Sequence, residues 1–133
     1  MDVRALIVGG IALALPATAI PAFAHHSYAE FDTDKKLTLE GTVKEFQWTN
    51  PHSWMLVIVP NASGQPEQWA VELSSVSLLA ERGWKPKTVM PGDKVAITFH
   101  PMRNGSHAGS YMAIKLPSGK TMGNADRLGS AAE

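Results

Sequence analysis

The feature that most constrains this chain is a succession of short runs in which apolar and polar residues alternate, each fenced by glycine or proline. Leu37-Thr38-Leu39-Glu40-Gly41-Thr42-Val43 has the period of a half-buried strand. The alternation slips at Lys44-Glu45-Phe46, and Gly41 lies within the run. Both predict a bulge or strong bend, as when a strand turns the corner of a small barrel. Ser53 to Val59 reads as a second strand, with Trp54, Leu56 and Ile58 on one face and Met55, Val57 and Val59 on the other. Gln68 to Leu73 is a third, with Trp69, Val71 and Leu73 together; Trp54 and Trp69 are both expected to face inward. Ser74-Ser75 then offers a cap for a short helix over Val76 to Arg82, with Gly83 at the stop position. Trp84 is placed to plug the barrel bottom. After Pro91-Gly92-Asp93, Lys94 to Phe99 forms a fourth strand with Val95, Ile97 and Phe99 inward, and Ser110 to Leu116 a fifth. A hairpin turn is expected at Pro117-Ser118-Gly119-Lys120. Five strands with one helix between the third and fourth is the order of an OB-like Greek-key barrel. The fold class is all-β with one short helix.

The N-terminus has a different character. Arg4 precedes an uncharged apolar run from Ala5 to Leu15, and residues 16–24 end in Ala22-Phe23-Ala24. This three-part layout is that of a secretory signal peptide. The run is well short of the roughly 20 residues needed to span a bilayer, so no permanent membrane anchor is expected. The chain therefore divides into a signal peptide (1–24), an N-terminal arm (25–36) with Tyr28 and Phe31 as aromatic anchors, the barrel (37–122) and a disordered tail (123–133). Soluble export to a bacterial periplasm follows. With no cysteine in 133 residues, the exported domain has neither disulfides nor thiolate chemistry and must rely on its core. Lysine and arginine number 12 against 12 aspartate and glutamate. That balance lacks the basic excess of a nucleic-acid binder.

All five histidines, His25, His26, His52, His100 and His107, follow the expected cut. Cleavage after Ala24 would give His25 a free α-amine beside its imidazole, a chelating pair that no internal histidine has. His52 lies in the loop between the first two strands, His100 ends the fourth, and His107 sits in the loop between the last two. In an OB barrel those loops are expected at one end. An arm of 12 residues reaches roughly 40 Å, enough to bring His25 and His26 there. Imidazole and amine nitrogens suit copper foremost, with zinc, nickel and iron behind it. Met102 and Met112 could add a thioether, which suits copper(I), though Met112 is more simply core. Trp48, beside the His52 loop, is the candidate to line a cofactor pocket. No catalytic constellation is present: no serine sits in a strained strand-to-helix elbow, Glu40 and Glu45 form no assignable acid–base pair, and Gly105 to Gly109 lacks the lysine and helix of a phosphate loop.

Certain residues also carry a family likeness: Ala24-His25-His26-Ser27-Tyr28, Phe31-Asp32, Leu39-Glu40-Gly41-Thr42-Val43, Trp48-Thr49-Asn50-Pro51-His52, Gly83-Trp84, Pro91-Gly92-Asp93, His100-Pro101 and Gly119-Lys120. Through them the chain resembles a bacterial family of small exported proteins, domain of unknown function 6152. The resemblance implies an exported single-domain protein and supplies no activity. The N-terminal histidine is also similar to the copper-binding histidine brace of secreted monooxygenases and copper carriers, a chemical analogy resting on one residue. Two functions are expected to compete. One is a periplasmic copper carrier or accessory protein that uses His25, His52 and His100, with His26 and His107 in reserve, and serves a periplasmic or membrane oxidoreductase. The other is a metal-free ligand- or protein-binding barrel built on Trp48, His52 and the loop from Met102 to Gly109.

Overall fold

The computed structural model describes residues 28–123. A 3-10 turn (Tyr28–Glu30) leads into an arm that reaches β1 (Leu37–Gln47), followed by β2 (Trp54–Pro60) and β3 (Pro66–Glu72). Then come α1 (Val76–Glu81), β4 (Lys94–Pro101), β5 (Ala108–Lys115) and β6 (Thr121–Gly123). The sheet runs β3-β2-β1-β4-β5-β6, and a parallel pairing of β3 with β5 closes the first five strands into a barrel. This is the expected OB-like architecture, with one added strand. β6 is too short to announce itself by alternation, and it exists because the turn at Pro117 to Lys120 folds Met122 back onto Ile114.

β1 is one bent strand shared between two partners. Its first half pairs with β4 and its second with β2, and the register shifts between Val43 and Glu45, where the alternation slips. Gly41 stands at the crowded inside of this bend. A Cβ there would lie 2.6 Å from the Ile58 carbonyl oxygen and 2.6 Å from a Val57 methyl carbon, far inside contact distance, so only glycine lets the strands approach.

The core cluster holds Val43, Met55, Val57, Val71, Leu79, Val89, Ile97, Phe99 and Ile114, all nearly inaccessible. Trp84 is buried with them between Phe46 and Tyr111, as a plug should be. Trp54 departs from the inward placement expected for it. Met55, Val57 and Val59 take the core face of β2, which turns Trp54, Leu56 and Ile58 to the outer face, where they are half-buried. Both faces of β2 are apolar, so hydropathy alone left its phase undecided. The cost of the wrong choice is visible only across the hairpin, where Met55 pairs with buried Val71.

The arm lies along the end of β4. Phe31 forms an isolated antiparallel bridge with Met102, and Asp32 N–H donates to the Pro101 carbonyl at 2.8 Å. Phe31 is buried but stands apart from the core cluster. Arg103 clamps the arm from the other side: its backbone N–H donates to the Glu30 carbonyl and its Nε to the Ala29 carbonyl. Among the described residues no helix is long and apolar enough to cross a membrane.

Candidate functional site

The loop Trp48 to Ser53 is tied down on several sides. Asn50 Oδ1 accepts from the Val76 N–H at the start of α1, and Thr49 Oγ1 donates to the His52 carbonyl at 3.0 Å. Ser53 exchanges backbone hydrogen bonds with Ser74 and Leu73. These contacts hold His52 at the C-terminal end of β3, where its Nδ1 meets the carboxylate of Glu72. Glu72 is 8% exposed, whereas the His52 side chain is 48% exposed. A buried carboxylate must be paired, and His52 is its partner.

His100 is held differently. Residues 33–36 loop away from β4 between the Asp32 contact and the start of β1, and the imidazole fills the gap, 7% exposed, with Nδ1 2.7 Å from the Lys35 carbonyl oxygen. A carbonyl only accepts, so Nδ1 carries a proton, and whenever the ring is neutral its lone pair is on Nε2. The same logic applies to His52: a carboxylate acceptor fixes the proton on Nδ1 and leaves Nε2 as the basic nitrogen.

The strand register relates these two rings. Trp54 pairs with Glu72, Glu72 with Ser110, and Ser110 with His100. Paired residues project from the same side of a sheet, so the four form one row on the outer wall. Glu72 and His100 are two strands apart, roughly 10 Å between backbones. His107 belongs elsewhere. Its loop turns back toward the beginning of β3, where the ring stacks on Trp69 with centroids 4.6 Å apart and planes at 17°. Its Nε2 stands 3.6 Å from Glu67, a carboxylate that also accepts from Asn61. Glu67 and Glu72 are five residues apart on one strand, roughly 17 Å.

The two loops expected to share one end of the barrel are thus separated. The parallel β3–β5 pairing sends the β4–β5 loop toward the start of β3, while the β1–β2 loop packs at its end. Among the described residues no group of three histidine, aspartate or glutamate side chains is gathered to hold a metal ion. His25 and His26 lie outside the described residues. Trp48 is half-buried and sets its ring edge-on against Phe46 at 5.8 Å, the outer member of an aromatic series that continues through Trp84 to Tyr111. Tyr111 donates to the Met122 carbonyl, and burial pushes its phenol well above the usual range.

Sequence reasoning overlooked Glu72, Glu67 and the carbonyl of Lys35. Glu72 was within reach. Counting back from the turn between Pro60 and Pro66 places it opposite Trp54, beside the His52 loop. The Lys35 carbonyl was not, because nothing in the residues announces where an arm leaves a strand.

A family model described as a family of unknown function, DUF6152, matches residues 13–112. The chain belongs to that family. No curated protein matches this DUF6152 chain. Among solved structures it is similar to the mitochondrial single-stranded DNA binding protein Rim1 from S. cerevisiae. In one crystal structure the match has 14% identity, a TM-score of 0.48, and covers 62% of this chain and 93% of that one. A selenomethionine crystal structure of the same yeast protein gives 13% identity and a TM-score of 0.46, with 62% and 94% coverage.

Proposed function

We propose that this DUF6152 protein is an exported, periplasmic copper-binding carrier or accessory protein, whose ligands are the amine and ring of His25 with His52 and His100. The observation that supports this most is the shared state of the two described rings. Each donates its Nδ1–H to an oxygen, as metal-ligating histidines almost always do, which leaves the lone pair of each neutral ring on Nε2. Two such rings are too few for a tight site, and the third contribution falls to the N-terminal residue. His25 stands four residues before Ala29, which Arg103 clamps, a reach of roughly 13 Å. His107, engaged with Trp69 and Glu67, is left out of the ligand set, and His26 stays in reserve. The recipient is a periplasmic or membrane oxidoreductase, and the balanced charge argues against a nucleic-acid partner.

The deciding experiment is a copper(II) titration of protein beginning at His25, read by calorimetry and electron paramagnetic resonance, beside protein carrying one extra residue before His25. One-to-one binding that collapses in the extended form, and weakens in His52→Ala and His100→Ala, is the expected result. Equal, weak binding by all four proteins would overturn the reading. One observation favours a second function, that of a metal-free protein-binding barrel: Trp54, Leu56 and Ile58 form an apolar row on the outer face of β2. Copper-independent binding of a partner, lost in Leu56→Asp, would support it.

A further inference from the structure

We infer that Glu72 is the positioning residue of the metal site, acting on copper only through His52. The inference rests on the copper-binding reading above and adds to it the residue that sets the affinity of one ligand. The loop contacts of Asn50, Thr49 and Ser53 fix the backbone on either side of His52. None of them fixes the ring, which is half exposed and turns about two side-chain bonds. Glu72 supplies what is missing. Its carboxylate is buried on the outer face of β3 and accepts the hydrogen bond of His52 Nδ1–H. This contact selects the tautomer with its lone pair on Nε2 and turns that nitrogen away from Glu72. Carboxylate partners of this kind typically contribute 10–100-fold to metal affinity.

The test is a double-mutant cycle on copper(II) affinity with protein beginning at His25: wild type, Glu72→Leu, His52→Ala and the double variant, with Glu72→Gln alongside. Glu72→Leu should weaken binding about 10–100-fold and give the paramagnetic resonance spectrum of His52→Ala. In the His52→Ala background the Glu72→Leu change should do nothing further, because the residue acts only through that ring. Glu72→Gln retains an acceptor oxygen, keeps the spectrum of the wild type and recovers most of the affinity. If Glu72→Leu weakens binding equally with and without His52, or leaves the wild-type affinity untouched while His52→Ala does not, the inference fails and the copper reading stands. If the wild type binds no copper, the reading itself fails. Should Glu72→Leu not fold, the comparison of Glu72→Gln with His52→Ala decides by the spectrum.

Discussion

Gly109 is the position where a single added carbon should do most damage. A Cβ built there would lie 2.1 Å from Phe99 Cδ2 and 2.6 Å from the His100 carbonyl oxygen, against an ordinary contact of 3.4 Å or more. The Phe99 ring must therefore retreat by more than an ångström. It is fully buried, and Trp69 lies behind it with centroids 5.5 Å apart, so the displacement passes to the indole and to the His107 ring stacked on it. Overpacking of this kind costs about 1–3 kcal/mol. The fixed carbonyl oxygen, which cannot yield as a side chain can, puts Gly109→Ala toward the upper end. In a domain of this size each kcal/mol moves the melting point by roughly 4–8 °C, so a fall on the order of 10–20 °C is expected. Thermal melts followed by far-ultraviolet circular dichroism measure the fall, and tryptophan fluorescence reports the shifted Trp69. Phe99→Leu alone should also destabilise by leaving space, yet combined with Gly109→Ala it should cost less than the sum of the two. A Gly109→Ala protein that melts with the wild type and keeps its fluorescence would refute the close approach of β5 to Phe99.

Other expectations follow from the arm and its surroundings. Phe31→Ala removes the buried anchor and should cost about 3 kcal/mol or less, with hydrogen exchange accelerating at Asp32 and Met102 while the β2–β3 amides keep their protection. Lys35 donates to Asp32 and holds its carboxyl below the ordinary value near 3.8, with Arg103 adding to the effect. Because the folded-state value is depressed, this contribution is present above the unfolded-state value and is lost as the pH falls through the folded one. Melts from pH 2 to 7 should accordingly show a shallower acid decline in Asp32→Asn than in the wild type. Asn50→Ala unties the β1–β2 loop from the Val76 amide and should cost about 1 kcal/mol, with amide shifts confined to Trp48–Ser53 and the start of α1. Tyr111→Phe removes the donor to Met122. It should loosen β6 alone, seen as faster exchange at Met122 with β4 unchanged.

Much of the barrel was legible because its determinants are local. The slip at Lys44 and the glycine at position 41 together announce the bend in β1, and serine before Val76 with Gly83 after it brackets α1. Trp54 was misread because both faces of its strand are apolar, and only the partner strand distinguishes them. The separation of His52 from His107 was invisible for a related reason. Loop order in the chain says which strands are joined, but the direction in which a loop leaves depends on the parallel contact between β3 and β5. The arm shows the same limit: Phe31 signals an anchor, whereas its seat on Met102 and the Lys35–His100 contact exist only once distant strands have met.

That seat has a bearing on the order of folding. The bonds that hold the arm join His100 to Lys35 across 65 residues and Arg103 to Ala29 across 74. Loop closure over such spans is slow, and its entropic cost is met only after more local pairings have formed. The first residues of the described chain are therefore among the last to settle. The arm can dock only where Pro101, Met102 and Arg103 already stand in place, so its closure follows the formation of β4.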